Sequence, residues 1–367
     1  MLIVHHTDAD GHCAAAIIKN EIYTKGQLRF FPYNYKQDIV VEIIPNDIVY
    51  LVDISMSPTV EAFINRCLAV NCKIVHIDHH KTTSEWYRHH EHPKEWSLNT
   101  YFYTDEKISA SMLCWIYACM TDEEKKHPMD VKFEFGCRIY SHVIDGERSH
   151  PLDTKFVNTT SIRGSIKFID RNTSYSVPIG VRFIDDNDVW RHEINETKYF
   201  ITSYNALDRD TKSPDNDEFW NDLLYHDNSE LIRKMVDDGV IIYKYKMQTY
   251  KFAVNRDGFV SEDLFDFPVF CLNATVGNSE LFGDKIKEYP CLKFGYSDGV
   301  WYYTLYSSDE CNDDILAIAT SFGGGGHQHA CGFQLPYCLF GEEKPNTDVT
   351  KTKKNIPWYK RIFNKKK

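Results

Sequence analysis

The sequence predicts an α/β protein: a mainly parallel-sheet domain and a smaller α/β domain, joined by a helical linker. Three observations carry that expectation. First, Ile48-Val49-Tyr50-Leu51-Val52 is an unbroken apolar run, which suits a strand buried on both faces of a parallel sheet. Second, such runs alternate with segments of helical apolar spacing, and a strand, helix, strand rhythm builds parallel sheets with right-handed crossovers. Third, 367 residues with 43% apolar content can bury a large core and favour two domains over one.

Taken in order, the apolar run Leu2-Ile3-Val4 reads as a strand, and Ala14-Ala15-Ala16-Ile17-Ile18 beyond Gly11 as the helix that follows it. Leu28-Arg29-Phe30-Phe31 is a second strand before Pro32. Ser57-Pro58 starts a helix, a hydroxyl cap followed by proline in the first turn, and Val60, Phe63, Ile64, Cys67 and Leu68 give it one apolar face. Lys73-Ile74-Val75-His76-Ile77 is the next strand. His89, His90 and His92 fall in a polar segment that reads as a surface loop, Ser109 to Met120 as a packed helix, and residues 148–180 as a β-hairpin insertion in a first domain spanning 1–228. Residues 229–251 form the linker helix, which Gly239 weakens by roughly 1 kcal/mol relative to alanine. In the second domain, 252–340, Pro268 to Leu272 is a strand, Ser279 to Lys287 a helix, and Lys293 to Tyr296 with Val300 to Leu305 a hairpin around Ser297-Asp298-Gly299. Asp313 to Phe322 is a helix, and residues 341–367 a basic, flexible tail.

Three strands end in groups that a packed core does not need. The first runs into His6, Asp8 and Asp10, the next apolar run stops at Asp53, and the third at Asp78-His79-His80. Functional groups in open α/β sheets gather where strands end and helices begin, and buried charges are costly unless they are paired or bind metal. Carboxylates at alternate positions with imidazole suit Mn²⁺ or Mg²⁺ better than thiolate-held zinc. Alone, the first cluster is equally an Asx-rich turn capping a helix. Its recurrence at three strand ends favours a site.

With Asp185-Asp186-Asn187-Asp188-Val189-Trp190 downstream, these clusters resemble, in order, the four motifs of the DHH phosphoesterases. Gly323-Gly324-Gly325-Gly326-His327-Gln328-His329-Ala330-Cys331-Gly332-Phe333 is similar to the signature of the DHH-associated domain that follows in many members. The resemblance implies two-metal hydrolysis of phosphodiesters, with two divalent cations, Mn²⁺ before Mg²⁺, held by His6, Asp8, Asp10, Asp53, His79 and Asp186. Asp53 would bridge them. Asp188 is the second choice in the fourth motif and could instead cap the following helix. His80 would act beside the phosphate as donor or proton carrier, and Asp78 would orient a histidine. Gly324, Gly325, Gly326 and His327 would hold a phosphate. Many relatives carry an arginine where this chain reads Thr304-Leu305-Tyr306-Ser307, so Tyr306 would stack on a base instead. Short oligonucleotides are the first expected substrate, as in the nanoRNase branch, with cyclic or linear dinucleotides second. Long single-stranded DNA, as in RecJ-type exonucleases, and pyrophosphate rank lower, and sequestering of nucleotides without turnover is the alternative from another class. A homodimer is compatible with this reading.

Composition bounds these expectations. The net charge of −11 argues against a protein that coats nucleic acid through general basicity, yet cations in a carboxylate-lined pocket can reverse the local potential and still hold phosphates. The 11 cysteines are scattered without a CxxC pair, which suits reduced thiols in the cytoplasm. No basic region followed by an apolar core marks a signal peptide at the N-terminus, and no apolar run reaches the roughly 20 residues that span a bilayer. From Lys344 onward, nine Lys or Arg stand against the single acid Asp348, so this tail is either an arm for nucleic acid or an anionic surface, or a solubilising segment.

Overall fold

A computed structural model describes residues 1–35, 38–89, 100–105, 107–141, 160–226, 230–308, 310–311 and 313–340. The chain divides into two units, Met1–Tyr243 and Lys244–Lys367.

The first unit is built on a wholly parallel sheet of β1 (Leu2–His6), β2 (Arg29–Tyr33), β3 (Ile48–Val52), β4 (Lys73–Asp78) and β5 (Thr100–Thr104), in the order β2-β1-β3-β4-β5. Alternate side chains feed two cores: Ile3, Tyr50, Val52, Val75 and Ile77 on one face, Leu2, Val4, Val49, Leu51 and Ile74 on the other. Burial on both faces is why these strands read as continuous apolar runs. Between β3 and β4, Ser57 accepts from the Val60 N–H, Pro58 occupies the first turn, and the helix Pro58–Leu68 buries Val60, Phe63, Ile64 and Cys67. Ser109 likewise caps the helix Ala110–Cys119 through Met112 N.

The expected hairpin insertion is a three-stranded antiparallel sheet, β6 (Phe133–Ser141), β7 (Thr160–Phe168) and β8 (Thr173–Val177), in that order. The extra strand lies upstream of the expected span, where Gly136, Cys137 and Arg138 interrupt the apolar alternation that would have marked it. Residues 142–159 lie outside the described residues, as do His90 and His92. The stretch Val181–Ile184 belongs to the helix Ile179–Asp188, so the fourth motif rides on a helix.

The second unit carries a six-stranded mixed sheet of β9 (Phe259–Ser261), β10 (Val269–Asn273), β11 (Cys291–Ser297), β12 (Val300–Tyr306), β13 (Gly325–His327) and β14 (Ala330–Leu335), in the order β13-β14-β12-β11-β10-β9. The β11–β12 hairpin turns on Asp298 and Gly299, both at positive φ (52° and 84°), as a type I′ turn requires. The helix expected over Ser279–Lys287 is split into a 3₁₀ turn, Ser279–Phe282, and a short helix, Lys285–Glu288, because Gly283 at φ 53° ends the first turn. The linker helix runs Glu230–Asp257, past the expected Lys251.

Two expected substrate contacts sit differently from the sequence reading. Tyr306 is 8% exposed, with its ring 6.0 Å from Phe282 in a core that includes Phe270, Leu272 and Cys291, so it is a packing residue and not a base platform. Half of the glycine run is strand: Gly325 and Gly326 pair with Gly332 and Cys331. A Cβ on Gly324 would lie 2.0 Å from the Gly332 carbonyl oxygen, so close approach of two chain segments explains this glycine without any ligand. The His327 side chain and the tail 341–367 lie outside the described residues. No helix among the described residues is long and apolar enough to cross a membrane.

Candidate metal centre

Strand order decides where a site can form. β2 and β3 flank β1 on opposite sides, so the strand order reverses there, the switch point at which a crevice forms outside the carboxyl ends of β1 and β3. His5 pairs with Val52, which sets the next residues, His6 and Asp53, side by side at that edge. Asp78-His79-His80 arrives from the end of β4, one strand further.

Asp53 stands at the middle of the cluster. It is 2% exposed and turns the chain at φ 57°, in the left-handed region that a non-glycine residue occupies only when its surroundings hold it there. One carboxylate oxygen lies 3.5 Å from His6 Nδ1, the other 3.6 Å from His79 Nε2 and 4.0 Å from His80 Nδ1. Asp8 caps the helix Ala9–Ile17 by accepting from Gly11 N and reaches His6 Nδ1 at 2.8 Å with its other oxygen. The same carboxylate therefore caps the helix and lies in the cluster, so the two readings of the first motif are compatible.

Asp10 is buried at the N-terminus of the helix Ala110–Cys119, where its two oxygens accept from Ala110 N (2.7 Å) and Ser111 N (2.9 Å). The positive end of that helix steadies its charge. His79 Nε2 lies 3.2 Å from Asp188 Oδ2. Three sets of donor atoms result, each drawn within 4.8 Å: His6, Asp8 and Asp53; Asp53, His79 and His80; Asp10, His79 and Asp188. Asp53 and His79 each belong to two sets.

The fourth motif corrects the ligand expected there. Asp186 faces the other way: its oxygens accept from Glu193 N, Ile194 N and Thr197 Oγ1, tying down the turn between two helices. Asp188 reaches the cluster in its place. Asp185 accepts from Ser109 N, the cap of the helix Ala110–Cys119, and pairs with Arg191 just beyond its own helix.

Electrostatics describe a crowded set of buried carboxylates and imidazoles. Burial pushes the Asp53 carboxyl well above its usual range, and the charges of Asp8 and Asp10 add to that; Asp188 is raised by burial and then by Asp10. Burial opposes the charge on His6, yet its pairing with the carboxylates of Asp53 and Asp8 raises the pKa to about 10. The buried Oδ2 atoms of Asp53 and Asp188 have no hydrogen-bond partner among the described residues. Orphaned, mutually repelling carboxylate oxygens beside imidazoles fit hard or borderline divalent ions such as Mn²⁺ or Mg²⁺.

His80 is arranged differently. Its Nδ1 lies 2.7 Å from the fully buried Asp78, whose charge raises the imidazole pKa against the effect of burial. The same pairing holds Asp78 at about 2, although burial alone would raise it.

Sequence reasoning missed the ring of supports around this cluster. Tyr35 sits beyond β2 with its ring 5.4 Å from His6, and its hydroxyl accepts from Ser55 N. Ser55 Oγ bonds Thr82 Oγ1, and Thr83 Oγ1 accepts from Met56 N. The signal available was parallel register: a strand that pairs Tyr33 with His6 ends at the same edge.

No family model matches the sequence. An uncharacterized protein of Acanthamoeba polyphaga mimivirus is 26% identical over 167 residues, which cover 42% of this chain and 37% of that protein. The match thus spans well under half of the curated relative's length. Solved structures similar to this chain include DHH-domain proteins. One is the DHH domain of a protein from a family of ribosomal proteins (14% identity, 90% of this chain, 81% of that one, TM-score 0.49). Others are the pGpG-specific phosphodiesterase PggH of Vibrio cholerae (14%, 91% and 92%, 0.39) and RecJ of Thermus thermophilus in complex with Mn²⁺ (11%, 90% and 49%, 0.42).

Proposed function

We propose that this chain is a DHH-type phosphoesterase that hydrolyses phosphodiester bonds in short oligonucleotides, with divalent cations at the cluster around Asp53. The observation that carries the reading is Asp53 itself: a buried carboxylate on a left-handed backbone, shared between two donor sets, with one oxygen unpartnered. A protein that only sequesters nucleotides has no need of such a residue.

His6, Asp8 and Asp53 would hold one cation, and Asp10, His79 and Asp188 a second, with Asp53 between them. Cations bound there would supply a water of lowered pKa and positive charge against the attacked phosphate. The chain's own part is positional. Asp10 is fixed by two backbone N–H groups, Asp8 by Gly11 N, and the Asp53 turn by its N–H to the Ile77 carbonyl, 3.0 Å. His80, whose pKa Asp78 raises against the effect of burial and whose Nε2 is left over, would when protonated donate to a phosphate oxygen or to the departing oxygen.

The test is Mn²⁺-dependent hydrolysis of a panel comprising a short RNA, a short DNA, linear and cyclic dinucleotides and pyrophosphate, with Asp53→Ala alongside. Stepwise loss of nucleotides from the oligomers is expected, with turnover reduced at least about 100-fold in the variant, on the order of the loss of a group acting directly on transition-state charge. A wild type that binds nucleotides and turns over none of the panel would establish sequestering instead.

A further inference from the structure

Tyr35 combines features that neither packing nor the cation cluster explains. It lies at φ 62°, a left-handed conformation that costs a bulky aromatic residue of the order of 1 kcal/mol or more. Its ring is 40% exposed, yet it leans on His6 at 5.4 Å and meets Tyr33 edge-on at 5.1 Å. Its hydroxyl oxygen accepts the Ser55 N–H at 2.5 Å, two residues beyond Asp53. Among the described residues, no acceptor is assigned to the hydroxyl proton.

A phenol that accepts one fixed hydrogen bond has one proton left to give, and its direction is restricted by the bond it accepts. Here the hydroxyl belongs to a ring 5.4 Å from His6 and is held by the N–H two residues beyond Asp53. An ordinary phenol keeps its proton at neutral pH, so what it offers there is a hydrogen-bond donor and not a negative charge. The strained backbone is what carries the ring back over His6 after β2 has ended.

Resting on the phosphoesterase reading above, we propose that Tyr35 is a substrate-contacting residue whose hydroxyl donates to a non-bridging oxygen of the phosphate held at the cations. It supplies a neutral donor, in addition to His80, at the end of β2.

Binding of inorganic phosphate to the Mn²⁺-loaded full chain, measured by calorimetry, tests this apart from turnover. Tyr35→Phe keeps the ring against His6 and removes the proton. Phosphate affinity is expected to fall about tenfold and kcat on oligonucleotides on the order of 10- to 100-fold, as for loss of one hydrogen bond to a charged group. Mn²⁺ affinity should stay within about twofold, whereas Tyr35→Ala, which frees His6 and the Ser55 loop, should weaken it. Unchanged phosphate affinity in Tyr35→Phe overturns the proposal. So does a parallel loss of Mn²⁺ affinity and kcat, which marks a residue that only positions the Ser55 loop. A wild type that binds phosphate, depends on the Tyr35 hydroxyl for it and hydrolyses nothing upholds the contact and overturns the hydrolase reading.

Discussion

Asp186 and Asp188 differ by two positions on one helix and therefore point roughly 200° apart around its axis. A motif read as text cannot choose between them, since both are carboxylates in an acidic run. Their surroundings choose. Asp186 accepts two backbone N–H bonds and one hydroxyl bond, while Asp188 presents to His79, at 3.2 Å, a buried oxygen that accepts no hydrogen bond among the described residues. Asp188→Asn should therefore weaken Mn²⁺ binding at least about tenfold and leave metal-free stability unchanged or higher, because a buried charge facing other acids is removed. Asp186→Ala should cost about 2–4 kcal/mol of stability through donors left unsatisfied. Mn²⁺ titration and urea unfolding in EDTA check the pair, and the reverse pattern would return Asp186 to the cluster.

At the scale of elements, what was legible depended on whether the cause was local. β1, β3 and β4 announce themselves because burial on both faces forces unbroken apolar runs, and their terminal His and Asp residues stand out against them. The helix Pro58–Leu68 carries its own cap. By contrast, β6 finds its partner in β7, and Tyr35 takes its role from a loop 20 residues on, so neither leaves a local periodic trace. Gly239 is the instructive case. Helix propensity says that alanine there gains roughly 1 kcal/mol. Yet a Cβ would lie 1.9 Å from the Tyr199 carbonyl oxygen, so the glycine is where the helix Thr197–Ala206 comes into contact. Gly239→Ala should destabilise the protein by about 1–3 kcal/mol, as overpacking does. A rise in the denaturation midpoint would mean that the two helices stand further apart.

For the molecule as a whole, the carboxyl edge of the parallel sheet sets opposing responses to acid. His5 is 2% exposed, with its ring 5.4 Å from His12 and 6.2 Å from Phe30, and burial lowers its pKa from 6.5 to about 4; burial does the same to His12. Below pH 6.5 the unfolded chain takes up a proton on His5 that the folded chain refuses, so this contribution to stability is present above pH 6.5 and is lost as pH falls towards 4. His6 acts in the opposite sense. Its raised pKa favours the folded state below pH 6.5, and that contribution is lost only as pH rises through about 10. The raised carboxyls of Asp53 and Asp188 also favour the folded state as acid protonates them, so the total curve in EDTA mixes both signs. Comparison of wild type with His5→Asn cancels the shared groups. Between about pH 7 and pH 4 the wild type should lose about 3 kcal/mol more than the variant, the free energy of a shift from 6.5 to about 4. Urea midpoints across that range give the difference directly. Parallel curves would mean that His5 titrates normally, and that β1 is open to water at its carboxyl end just where the cluster needs a dry wall.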